Sequence, residues 1–206
     1  MGGVAAIVVA AGTSSRMGTP KQLLSWHGEP LLKSLVRQVL AARVDPVIVV
    51  LGHRQEEISG VLEPLIQAAG GRLKTVFNAG YLDGGQASSV RTGARALPAD
   101  AAGAVLLPSD MPLIGATHVD ALVSTYEEAR KTRGDYLVVV ATYGSRRGHP
   151  VLFGSALLED LARAPEDQGA RVLVYGHPER VIEVPAGEEV VLDIDTWEDY
   201  ERLKAR

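Results

Sequence analysis

The residues with the clearest chemical potential lie early in the chain. There Ala10-Ala11-Gly12-Thr13-Ser14-Ser15-Arg16-Met17-Gly18-Thr19-Pro20-Lys21-Gln22 sets small side chains and two glycines ahead of two cations. Small residues let backbone N–H groups close on a polyphosphate, and Arg16 and Lys21 bring charge to neutralise it. A glycine-containing loop after a strand also serves as a plain turn; the pair of cations favours a triphosphate cradle. The spacing differs from the P-loop, because Gly12 and Gly18 are one residue too far apart and Lys21 does not follow Gly18 directly. No G-x-G-x-x-G is present, so the dinucleotide fingerprint is absent as well.

Two acidic groups add a second kind of chemistry. The apolar run Ala104-Val105-Leu106-Leu107 ends in Pro108-Ser109-Asp110-Met111-Pro112, which sets Asp110 at the carboxyl end of a strand. Open α/β sheets bind ligands at that edge, and magnesium favours carboxylate oxygens together with substrate phosphates. A capping aspartate before the next helix is the other use of such a residue. Further on, Asp193-Ile194-Asp195-Thr196 leads from a strand into the last helix. On an alternating strand Asp193 and Asp195 face the same way and both reach one ion; the other use for one of them is to orient the loop or cap the helix.

The elements that must position these groups follow from hydrophobic patterning. Short valine- and isoleucine-rich runs alternate with longer amphipathic stretches, the pattern of a parallel sheet with helices on both faces. Strands are expected at Val4–Ala10, Pro46–Leu51, Leu73–Phe77, Ala104–Leu107, Tyr136–Ala141 and Arg180–Val184. Helices are expected at Pro30–Ala42, Gln55–Ala68, Ser88–Ala96, Thr117–Thr132, Ser155–Arg163, Ala170–Gly176 and Thr196–Lys204. Thr117 and Thr196, each with an acidic residue three positions on, suit N-caps, and Gly70-Gly71 suits a helix stop. The stretch from Tyr143 to Pro150 reads as a loop, either a simple turn or a ligand contact.

Composition narrows the partners. The 206 residues, 46% of them hydrophobic, are enough for one domain with a full core. A formal charge of −4 gives no basic face for nucleic acid or an anionic membrane, so a small ligand is expected. The absence of cysteine removes disulfides, thiolate metal sites and cysteine nucleophiles. The apolar run near the start has neither a basic lead nor the length of a membrane span, which points to a buried strand and a cytoplasmic protein.

The loop matches A-A-G-x-S-x-R-M-G-x-x-K, and the two acidic segments match L-x-x-D-M-P and D-I-D-T-x-E-D-Y. In these motifs the chain resembles the MobA-like nucleotidyltransferase superfamily, whose Rossmann-like fold is of the glycosyltransferase-A, or nucleotide-diphospho-sugar transferase, type. The resemblance implies that Ala10, Ala11, Gly12, Thr13, Ser14, Arg16, Met17, Gly18 and Lys21 hold a nucleoside triphosphate, with Arg16 and Lys21 stabilising charge in the reaction. It makes Asp110 a catalytic metal ligand and Asp195 the second, with Asp193 in reserve. The metal it implies is magnesium, for which manganese can substitute. Trp197 stands where the family usually has proline.

Four further segments, Val50–His53, Gly85–Gly93, Arg147–Gly154 and Asp167–Arg171, resemble the molybdenum cofactor cytidylyltransferase (MocA) subfamily. Ala11 replaces the second glycine of the related guanylyltransferases, which favours CTP as substrate. The resemblance implies nucleotide contacts at Ser88, Ser89 and Ser109, although an N-cap serine and a surface arginine would explain Ser88 and Arg91 equally. It places His149, Pro150, Gly169 and Arg171 toward a molybdopterin-type acceptor, with Arg171 suited to grip a phosphate. His149 is otherwise an ordinary loop residue, and His53 has a structural or base-adjacent place. A receiving molybdoenzyme or its maturation chaperone is the implied protein partner. Two rivals stand beside this reading: transfer to another small phosphorylated acceptor, and a non-catalytic maturation factor that carries the cofactor.

Overall fold

The segment Val4–Ala10 carries no charge and is almost wholly buried, so both its faces must be covered. The computed structural model describes residues 2–206 and places this segment, β1, inside a seven-stranded sheet, between β4 and β6. The other strands are β4 (Val47–Leu51), β5 (Leu73–Phe77), β6 (Gly103–Pro108), β7 (Val138–Tyr143), β8 (Arg146–Gly154) and β9 (Val181–Pro185). A two-stranded ribbon, β2 (Ser25–Trp26) with β3 (Glu29–Pro30), stands apart. The main sheet runs β5-β4-β1-β6-β8-β7-β9, and every strand except β8 points the same way.

Helices cover both faces. Alternate side chains of β1 (Val4, Ala6, Val8, Ala10) enter one core with Leu32, Leu35 and Val36 of α1 (Leu31–Leu40), Ile58 and Leu62 of α2 (Gln55–Ala68), and Val119, Leu122 and Val123 of α4 (Ala116–Arg133). On the opposite face Ile7, Val50 and Val138 meet Val90 and Ala94 of α3 (Gly85–Arg95), Leu161 of α5 (Leu158–Ala162) and Val174 of α6 (Arg171–Tyr175). A third, smaller cluster joins Met17, Leu24, Trp26 and Leu31 to Ile194 and to Tyr200 and Leu203 of α7 (Trp197–Lys204). It fastens the loop after β1 to the end of the chain.

Several expectations are corrected. Arg146–Gly154 is a nine-residue strand, where the sequence reading has a loop as far as Pro150. Glycine, arginine and proline conceal it, yet its second half pairs with β6 from Gly154 opposite Gly103 to Val151 opposite Leu106. The first half overhangs the end of β6 and pairs with β7 alone, at Arg147 and Arg146. Helix α4 starts one residue before Thr117, capped by Gly115, whose N–H donates to His118 Nδ1 at 3.0 Å. The imidazole thereby takes the part given to Thr117 and Asp120. Asp193 and Asp195 lie outside any strand, where the sequence places them on one. The Thr196 cap is observed, with Asp199 completing its capping box, and α2 stops before Gly70 and Gly71, both at positive φ. Among the described residues no helix is long and apolar enough to cross a membrane.

Candidate active site

All the candidate residues that could handle a nucleotide lie at the carboxyl edge of the parallel strands. Strand β1 ends at Ala10, and the chain then leaves the sheet as a loop. The Ala11 carbonyl accepts from the His53 N–H at 3.3 Å, and those of Ala10 and Gly12 accept from Gln22 Nε2 at 2.8 and 3.3 Å. Ser14 sits at φ 53°, and its Oγ accepts from the Lys21 N–H at 3.0 Å. Its carbonyl accepts from the N–H groups of Met17 and Gly18. The N–H groups of Gly12, Thr13, Ser14, Ser15 and Arg16 make no hydrogen bond among the described residues. Five consecutive uncommitted donors are what an anion seat needs. Met17 contributes differently, since its side chain is buried against the carboxyl-terminal cluster and anchors the loop.

Beside the loop stand the acids. Carboxylate oxygens of Asp110, Asp193 and Asp195 lie within 4.8 Å of one another. The segment holding the latter two is tied to the β6 end by Ile194 N–H donating to the Asp110 carbonyl at 2.9 Å. Lys21 Nζ lies 2.7 Å from Asp195 Oδ1 and 3.5 Å from Asp110 Oδ2, and Arg16 Nη1 lies 2.6 Å from Asp195 Oδ2. Burial pushes the Asp110 carboxyl above the usual aspartate value; Lys21 opposes this, and Asp193 and Asp195 reinforce it. The Lys21 hydrogen bond holds Asp195 below that value, with Arg16 assisting. Clustered carboxylates repel unless a cation neutralises them, and an all-oxygen set of this kind fits a hard divalent ion. Asp110, Asp193 and Asp195 are the residues that would hold it.

The loop, Lys21 and Asp110 border a cavity of about 300 Å³ that also takes in Tyr81, Leu82, Gly85, Gln86, Ser89 and Ser109. Ser88 and Ser89 part company here. Both hydroxyls accept from Asn78 Nδ2, at 2.8 and 3.0 Å, but Ser88 Oγ also donates back to the Gly80 and Gly85 carbonyls. Ser88 therefore secures the start of α3, while Ser89 borders the cavity with its own proton uncommitted. Arg91 bonds the Ala164 carbonyl and holds α3 near α5. Asn78 was not singled out from sequence. Its Oδ1 accepts from the N–H of Gly80, an Asx turn that an asparagine two residues before a glycine foreshadows.

A second cavity, about 550 Å³, adjoins the first through Gln86. His149, Gly169 and Arg171 line it together with Arg147 and Tyr175, whereas Pro150 is buried behind the wall. The guanidinium carbons of Arg147 and Arg171 lie 5.3 and 5.8 Å from the Tyr175 ring centre. Burial lowers the His149 pKa, which keeps the imidazole neutral near pH 7. His53 faces neither cavity; its ring lies 6.3 Å from that of Tyr81.

A sequence profile of the MobA-like NTP transferase domain matches residues 6–181. The chain belongs to that family. It has the nucleotide-diphospho-sugar transferase fold. It is 34% identical over 128 residues to the bifunctional protein GlmU of Mycobacterium ulcerans, covering 61% of this chain and 26% of that one. Over 120 residues it is 32% identical to the molybdenum cofactor guanylyltransferase of Xanthomonas euvesicatoria, covering 57% and 52%. These matches thus span about a quarter and about half of those relatives. A full-length likeness, 25% over 205 residues, joins it to the nicotine blue oxidoreductase of Paenarthrobacter nicotinovorans, covering 97% and 96%. Among solved structures, Rv0371c of Mycobacterium tuberculosis H37Rv superimposes with a TM-score of 0.75 at 28% identity, covering 98% of both chains. A manganese complex of Rv0371c gives 0.70 at 27% identity over the same shares.

Proposed function

We propose that this protein is a nucleotidyltransferase that moves a cytidylyl group from CTP to the phosphate of a molybdopterin-type acceptor in a magnesium-dependent reaction that releases pyrophosphate. The observation that carries it is the meeting of Lys21, Asp110 and Asp195 beside a loop with five uncommitted N–H groups. In this reading the loop and Arg16 take the β- and γ-phosphates, and Lys21 follows charge developing on the α-phosphate. Arg16 must turn from Asp195 to do so, a small cost for a side chain that is 72% exposed. Magnesium, when held by Asp110 and Asp195, supplies charge neutralisation for the polyphosphate. No general base is required, because the acceptor phosphate is already an anion and positioning carries most of the barrier reduction.

Support for CTP comes from Ala11, a buried residue at the border of the smaller cavity. A steric filter of one methyl group is worth about 1–3 kcal/mol. Support for the acceptor comes from the larger cavity, where Arg171 offers a phosphate fork and neutral His149 a hydrogen-bonding partner. The test has two stages. Melting temperature is measured with CTP, GTP, ATP and UTP, with and without magnesium, and a magnesium-dependent rise selective for CTP is expected. Pyrophosphate release is then followed with molybdenum cofactor and with a panel of other phosphorylated acceptors. A larger shift with GTP would overturn the cytidylyl assignment, and turnover with a sugar phosphate alone would overturn the acceptor. Asp110→Ala is expected to abolish the magnesium-dependent part of the shift.

A further inference from the structure

The side chain of Gln22 is 3% exposed and borders the smaller cavity, yet its amide oxygen has no hydrogen-bond partner. Buried amides are seldom left half satisfied, and an apolar side chain of the same size would fill the space without an orphaned atom. The amide nitrogen explains the choice. It donates to the carbonyls of Ala10 and Gly12, where β1 leaves the sheet and its ladder partners run out. The Ala11 carbonyl between them is held by His53 N–H, so all three acceptors at the mouth of the loop are engaged. Turning the amide over would set its oxygen against two carbonyl oxygens, so the pair of acceptors fixes its orientation.

We propose that Gln22 is a positioning residue of the phosphate loop: its amide holds the Ala10 and Gly12 carbonyls away from the anion and so leaves the N–H groups of Gly12–Arg16 to receive it. This rests on the nucleotide reading given above. A carbonyl swung toward a triphosphate repels it, and each peptide that rotates exchanges a donor for an acceptor at the same place. Gln22 touches no reacting atom and acts only through the backbone it holds.

Gln22→Glu and Gln22→Met separate the donor from the volume. At pH 8 the carboxylate has no proton to donate; at pH 5.5 a buried glutamate, its pKa raised by desolvation, regains one. Lys21 and Asp110 border the same cavity, so each variant is compared with wild type at the same pH. Dissociation constants for CTP with magnesium, and for GTP, ATP and UTP likewise, are taken from melting shifts. Gln22→Met is expected to bind at least tenfold more weakly at both pH values. Gln22→Glu should be as weak at pH 8 and recover most of the loss at pH 5.5. Wild-type affinity in both variants, or a Gln22→Glu deficit equal at the two pH values, overturns the proposal.

Hydrogen exchange without nucleotide gives an independent reading from the Met17, Gly18 and Lys21 amides, which are bonded to Ser14. In Gln22→Met they should exchange at least tenfold faster, while Leu35 in α1 keeps its wild-type rate. Unchanged loop exchange overturns the proposal. If wild-type protein bound none of the four nucleotides, the functional reading would fail by itself and the exchange result would still decide the place of Gln22.

Discussion

Lys21 joins the two acidic segments electrostatically, since its ammonium lies within 4.0 Å of Asp110 and Asp195 at once. Replacing it with methionine keeps the stem but removes the cation that Asp110 and Asp195 share, so the already raised Asp110 pKa should rise further. We expect turnover to fall about 10²- to 10³-fold, read as pyrophosphate release at saturating nucleotide, with the fold retained. Arg16→Ala should cost nearer tenfold, because an exposed guanidinium loses less when water replaces its partner. His149 gives a prediction of opposite character. Its folded pKa lies below the ordinary histidine value, so above that value both folded and unfolded chains hold it neutral. As pH falls through about 6.5 the unfolded chain gains a proton that the native one refuses, and stability declines. His149→Gln should flatten this acid decline in melting temperature between about pH 7 and pH 5.

At the level of elements, close contacts made by glycine set the distances. A Cβ on Gly93 would strike Ile7 Cγ2 and crowd Val50, so α3 lies against β1 and β4 more closely than alanine permits. Gly93→Ala should destabilise the protein by about 1–3 kcal/mol and push Ser89 away from the loop. A Cβ on Gly148 would strike the Val190 carbonyl, in the turn that leads to Asp193. Gly148→Ala should therefore lower the melting temperature and also weaken magnesium-dependent nucleotide binding, as titration of the purified variant would read. The sheet was legible in sequence because β1, β4 and β6 are uninterrupted apolar runs buried on both faces. Strand β8 was not, since its first half pairs with β7 only and carries polar residues over the cavity. For the site, the loop and Asp110 could be read from their position after strands. The separate duties of Ser88 and Ser89 could not, because they depend on Asn78, ten and eleven residues away in chain and adjacent only after β5 and α3 pack.

For the whole molecule, a ligand that binds only the native state adds RT ln(1 + [L]/Kd), about 2.7 kcal/mol at a hundredfold excess over Kd. In a protein of this size that corresponds to a rise of roughly 5–11 °C, well within reach of a melting experiment. Both the metal-binding carboxylates and the loop should be needed for it, so Asp195→Asn is expected to remove most of the rise while changing the unliganded melting temperature little. The pairing of Lys21 with Asp195 joins residues 174 positions apart. The Met17 and Ile194 cluster joins the same two stretches of chain. A chain emerging from the ribosome thus presents its anion seat long before the acids that complete it have been synthesised. Nascent and partly folded chains should be blind to nucleotide, which can act as a stabiliser only once Asp195 has been made and has met Lys21, never as a template before that.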